Sequence, residues 1–156
     1  MDDFDFLTGS WHVANRWIAP AGGIGSDDWE EFAATAECRP FFGGAGNHDV
    51  FDCPAKGWRG MTLRLYQPER RQWSIWWASD RTGELGPPVT GRFVDGRGEF
   101  FGDDTHDGTP AGVPVRVRYR WTVPAPDAPR WEQAYSTDGG QTWETNWIMD
   151  LTRRGP

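Results

Sequence analysis

Three histidines, two cysteines and a few acidic turns are the residues here that could do acid–base, nucleophilic or metal chemistry. Their spacing gathers none of them. His12, His48 and His106 are scattered along the chain. His106 lies in Asp103-Asp104-Thr105-His106-Asp107, which has the donor types of a metal loop. No His-x-His or Cys-x-x-Cys spacing supports that reading, and acidic turns are ordinarily just solvated, so neither a metal nor a cofactor is expected. Cys38 and Cys53 are the only cysteines, and two free thiols are the default for a cytoplasmic protein. Glu132 and Glu144 face one another in many registers of the last two strands and resemble a carboxylate pair. They share their faces with Ala134, Asn146 and Asp150, however, so a solvated outer surface is the better reading. No nucleophile–base pair is legible, and the sequence names no substrate.

Ser136-x-Asp138-x-Gly140-x-Thr142-Trp143 matches the Asp-box pattern of sialidase-type propellers. A propeller needs at least about four blades of four strands, and 156 residues are too few. The physical content of the pattern is a turn in which Asp caps backbone amides and Trp packs above them.

That turn is the centre of the strongest structural signal. Trp131, Gln133 and Tyr135 alternate with Glu132 and Ala134; after Asp138-Gly139-Gly140, Trp143, Thr145, Trp147, Met149 and Leu151 alternate with Glu144, Asn146, Ile148 and Asp150. Period-two alternation on both sides of an Asp-Gly-Gly turn predicts a β-hairpin. The rest of the chain repeats the plan. Strands are expected near 11–18, 29–39, 47–52, 58–66, 73–78, 89–94, 98–103 and 113–122, with a short helical turn before the first. No helix of ten residues is expected. About ten antiparallel strands joined mainly by short turns form a single all-β domain over residues 1–156. An up-and-down β-barrel is the simplest closure, because closing the sheet removes its edges; a two-sheet sandwich is the alternative.

Composition agrees. Twenty glycines and 12 prolines suit strands and turns better than helices. The net charge of −7, with Lys56 the only lysine and no basic cluster, argues against nucleic acid and anionic membranes as partners. No stretch approaches the ~20 apolar residues of a membrane helix. The acidic start, Met1-Asp2-Asp3-Phe4, does not resemble a signal peptide, so a cytoplasmic location is expected.

Phe6-Leu7-Thr8-Gly9-Ser10-Trp11 resembles the Gly-x-Trp opening of the calycins, the lipocalin and fatty-acid-binding-protein superfamily. In that group the Trp sits at the closed end of the barrel and an Arg from the end of the last strand stacks on it. The resemblance gives that part to Arg153, with Arg154 beside it. Gly43-Gly44 after the second strand and the Trp-rich later strands also resemble bacterial lipocalin-like families. The resemblance implies a calycin-like barrel with a habit of binding small apolar molecules, and no particular activity.

The apolar faces are the expected inner faces, with Arg116, Arg118 and Arg120 outside. Inner positions are Trp11, Val13, Asn15 and Trp17; Phe32, Ala34, Ala36 and Cys38; Arg59, Met61, Leu63 and Leu65; Trp73, Ile75 and Trp77; Val115, Val117, Tyr119 and Trp121; and the alternating aromatic sets of the last hairpin. Polar residues on such faces either pair together or converge on a ligand. The expected ligand-binding set is Asn15, Trp17, His48, Arg59, Trp77, Tyr119, Trp131, Gln133, Thr145 and Trp147. The expected partner is a small hydrophobic or aromatic molecule, with Arg59 as anchor for an acid or phenolate. The alternative is a small isomerase, cyclase or hydrolase using the same cavity, with His48, Arg59 or Tyr119 as acid or base. A monomer or homodimer is expected.

Overall fold

The computed structural model describes residues 1–19, 24–104 and 114–155. Ten strands close into one antiparallel barrel in which each pairs with the next and the last with the first. They are β1 (Gly9–Ile18), β2 (Trp29–Phe41), β3 (Gly46–Cys53), β4 (Trp58–Gln67), β5 (Gln72–Ser79), β6 (Val89–Val94), β7 (Arg97–Asp104), β8 (Val115–Thr122), β9 (Arg130–Ser136) and β10 (Glu144–Arg153). A short 3-10 turn, Asp5–Leu7, precedes β1, and a second, Phe42–Gly44, joins β2 to β3. The barrel rather than the sandwich is formed. Among the described residues no helix is long and apolar enough to cross a membrane.

One end is plugged by the N-terminal segment. Phe4 lies edge-on to Trp73, 4.9 Å between ring centres, and to Phe93 at 5.0 Å. Leu7 and Trp11 are buried above it, and the Trp11 indole donates to the Leu7 carbonyl at 2.8 Å. Closure continues with β10, where Trp11 lies opposite Arg153. Arg153 donates to the carbonyls of Thr8 (2.8 Å) and Phe6 (3.3 Å) and pairs with Asp127 at 2.7 Å. Gly9 has φ of +120°, and a Cβ there would lie 2.6 Å from an Arg153 Nη. The glycine of the Gly-x-Trp pattern thus makes room for the arginine.

The inner faces of β1, β2, β5, β8 and β9 are those the alternation predicts. The arginines of β8 are outside: Arg116 pairs with Asp103, Arg120 with Glu99, and the Arg118 guanidinium lies 5.0 Å from the Trp143 ring centre.

Strand β4 is inverted relative to expectation. Trp58, Gly60, Thr62 and Arg64 are its buried residues, and Arg59 is exposed. Met61, Leu63 and Leu65 face outward, where Val50, Met61 and Ala78 stand side by side, as do His48, Leu63 and Trp76. An apolar strip on the outside of the barrel produces the same period of two as an apolar interior, and the inner face of β4 carries an arginine and a threonine. Alternation alone therefore picks the wrong phase.

Strand β10 departs in a second way. Thr145 pairs with Ala134 and Trp147 with Gln133, so Asn146 is an extra residue in the ladder, a β-bulge. The bulge keeps Trp147 and Met149 inside but moves Thr145 to the outer face beside Ala134 and Arg118. Glu144 pairs with Tyr135 and so belongs to the inner register, not to a solvated outer face with Glu132.

Candidate functional site

Inside the barrel an inner chamber of about 90 Å³ adjoins a vestibule of about 210 Å³. Trp77, Tyr119, Gln133 and Trp147 line both, so they form the waist between the two. Below the waist the chamber reaches Leu7 and Trp11 at the plugged end, with Trp121 and Trp131 in its wall. Above it the vestibule opens past Trp17, Ile18, Ile24, Arg81, Tyr135, Glu144 and Asn146. These residues come from strand ends, and for Ile24 and Arg81 from the loops after β1 and β5, at the side opposite the Trp11–Arg153 closure.

The waist is built from close packing between strands. A Cβ on Gly60 would fall 1.9 Å from Cη2 of Trp77, so only glycine lets that ring lie against β4. Trp147 is edge-on to Trp17 (5.1 Å) and to Trp131 (5.4 Å), and Tyr119 to Trp131 (5.1 Å). The Trp147 indole donates to Asn15 Oδ1 at 3.0 Å, and Asn15 Nδ2 donates to the Val13 carbonyl at 3.2 Å. Asn15, 2% exposed, therefore serves the site by holding Trp147 rather than by facing the chamber. Gln133 donates to Asn146 Oδ1 at 3.0 Å, which ties the bulge to the waist.

Polar groups cluster at one corner of the chamber. Arg64 donates through Nη2 to Asp49 Oδ2 at 2.7 Å and through Nη1 to Asn47 Oδ1 at 2.8 Å. The rings of Phe4 and Trp121 lie 5.3 and 5.7 Å from its guanidinium carbon. Its side chain is 4% exposed, and its Nε is buried without a partner. Asp49, Thr62, Cys38 and Arg64 all line the chamber. Burial pushes the Cys38 thiol up to about 11, against a smaller opposite pull from Arg64. A protonated thiol is a poor nucleophile.

Of the ten expected ligand-binding residues, the barrel brings Trp77, Tyr119, Trp131, Gln133 and Trp147 onto the chamber and Trp17 onto the vestibule, with Asn15 just behind. Three lie elsewhere. Arg59 is on the outer face, its side chain 71% exposed and 3.6 Å from Asp52. His48 is outside too, stacked on Phe41 at 6.1 Å. Thr145 is turned out by the bulge. Sequence reasoning missed Asp49, Thr62 and Arg64. The signal for them was present in Asn47-x-Asp49 and Thr62-x-Arg64, polar pairs at period two on neighbouring strands. Cys38 and Cys53 are both free and buried, and burial raises the Cys53 thiol as well. Among the described residues no three His, Cys, Asp or Glu side chains gather in a metal-binding group; His106 lies outside the described residues.

No protein-family model matches the chain, and no curated protein matches its sequence. Among solved structures, the S-type phycobiliprotein lyase CPES from Guillardia theta is similar, with a TM-score of 0.61 over 98% of this chain and 91% of that one. The sequence identity is 12%, so the likeness is one of fold: a calycin-like, ten-stranded antiparallel barrel.

Proposed function

We propose that this protein is a lipocalin-like binding barrel that holds a small aromatic molecule between its tryptophans. The observation that carries the reading is the aromatic waist of Trp77, Tyr119, Gln133 and Trp147, which the chamber and the vestibule share as lining. Apolar walls with a few placed polar groups are the usual composition of a small-molecule site. An inner chamber of about 90 Å³ is on the scale of a single aromatic ring. Anything larger would have to part the waist to reach the vestibule. Edge-to-face indoles give a ring partners on several sides. The barrel's likeness to a phycobiliprotein lyase is compatible with a small-molecule role and adds no identity for the ligand. Binding is favoured over catalysis because the chamber's thiol is held protonated and its one arginine–carboxylate pair is locked together. Two free cysteines suit a reducing compartment such as the cytoplasm.

Native mass spectrometry of freshly purified protein tests the proposal, followed by tryptophan-fluorescence titration with single-ring aromatics. A co-purifying small molecule, or saturable quenching that is lost in Trp147→Ala, is the expected result. Absence of both in a folded protein overturns the reading.

A further inference from the structure

The charged corner of the chamber is set up to choose among ligands. The rings of Phe4 and Trp121 lie 5.3 and 5.7 Å from the Arg64 guanidinium carbon, and its terminal nitrogens donate to Asp49 and Asn47. Asp49 balances the Arg64 charge, while the Arg64 Nε–H stays buried and unpartnered. Asp49 is engaged only through Oδ2. Its side chain is 12% exposed and it lines the chamber. Asp49 therefore keeps acceptor capacity in the chamber lining, next to its cross-strand partner Thr62. An aromatic acid in the chamber would place a second negative charge beside Asp49, whose partner Arg64 is already ion-paired, in surroundings that screen charge poorly. A neutral ring bearing an O–H or N–H would instead donate to Asp49 and leave the charge balance intact.

We propose that the Asp49 corner makes the chamber selective for neutral aromatic molecules that carry a hydrogen-bond donor, phenols or indoles, and that it rejects aromatic carboxylates. This rests on the reading of the barrel as a small-molecule carrier and names the ligand class for that cavity. It replaces the acid expected from Arg59, which lies outside the barrel.

Calorimetric titration at neutral pH with phenol, toluene and benzoate is the test. The wild-type protein binds phenol at least about tenfold more tightly than benzoate, the scale of one hydrogen bond to a charged group. Asp49→Asn removes the negative charge, leaves Arg64 positive, and raises benzoate affinity by about tenfold or more. The double variant Asp49→Leu/Arg64→Met replaces the pair with apolar side chains, which protects against simple misfolding. It shifts the phenol-to-toluene affinity ratio toward toluene by about tenfold. Benzoate binding as tight as phenol in the wild type overturns the proposal. So does a phenol-to-toluene ratio unchanged in the double variant, or benzoate affinity unmoved in folded Asp49→Asn. Those results leave the carrier reading standing, because toluene still binds; failure of toluene and phenol alike removes both.

Discussion

The guanidinium carbon of Arg153 stands 4.2 Å from the centre of the Trp11 ring, and the two residues face each other across the β1–β10 seam. The contact joins the first strand of the barrel to the last. The Trp11 indole is fully buried, while Arg153 remains partly in solvent and reaches the Thr8 and Phe6 carbonyls from there. The cation–π coupling is expected at ~0.5–2 kcal/mol. A double-mutant cycle with Arg153→Ala and Trp11→Phe, followed by urea unfolding, measures it; additive losses would mean the two side chains are independent. Arg153→Ala should lower the unfolding midpoint and leave aromatic ligands bound, since the vestibule is at the opposite end.

Gly60 and Trp77 form the second close pair. Gly60→Ala puts a methyl where the Trp77 ring lies and should destabilise the barrel by about 1–3 kcal/mol, the usual range for overpacking. Trp77→Phe in the same chain should recover part of that loss. The double variant is then less destabilised than the sum of the singles in denaturant titration. Strict additivity would place the ring away from β4.

The hairpin turn carries a pH-dependent contribution. Asp138 accepts from the Thr142 hydroxyl, the Thr142 amide at 2.9 Å and the Ser136 hydroxyl at 2.7 Å. These bonds, those of Thr142 first, hold its carboxyl down at about 2. An acid whose folded pKa is depressed stabilises above its unfolded pKa of about 4, and the gain disappears as pH falls toward 2. Asp138→Ala should therefore melt below wild type at pH 7, with the gap narrowing between pH 4 and 2. A gap constant over that range would show that the charge contributes nothing to the turn.

Cys38 titrates in the opposite sense. Its folded thiol holds its proton up to about 11, whereas an unfolded one releases it near 8.5, so this contribution is complete below that pH and declines above it. At pH 8 the folded protein should react with a thiol reagent far more slowly than the unfolded, unreduced protein, which should titrate both cysteines. Equal rates would place Cys38 at the surface.

The ten strands and their antiparallel order were readable because turn residues and period-two alternation recur along the chain. The Trp11–Arg153 closure was legible only through the resemblance of Gly9-Ser10-Trp11 to the calycin opening; the structure adds the steric reason for Gly9 and the ring contact for Arg153. The waist was readable wherever an aromatic face opposed a charged one, as on β8. Two features defeat alternation. On β4 an apolar outer strip competes with a polar inner face, and no local rule separates them. On β10 a bulge at Asn146 breaks the count, so Thr145 is placed inside and Glu144 outside, each on the wrong side. The Arg64–Asp49 pair depends on register between β3 and β4, which forms only when the barrel does.

Arg59 and Arg64 test that inversion directly. They lie five residues apart on β4, on opposite faces. Arg59 is exposed and near Asp52, an arrangement worth little in water, so Arg59→Ala should change stability by no more than about 0.5 kcal/mol. Arg64→Ala leaves Asp49 buried without its cation, a change that typically costs about 3–5 kcal/mol. Replacing both members at once, Asp49→Leu with Arg64→Met, removes the charges together and should restore most of that loss, because apolar substitution of a buried pair is often neutral. Chemical denaturation of the four proteins gives the order wild type near Arg59→Ala, then the double variant, then Arg64→Ala. If Arg59→Ala proved the most damaging of the three, the inner and outer faces of β4 would have to be exchanged.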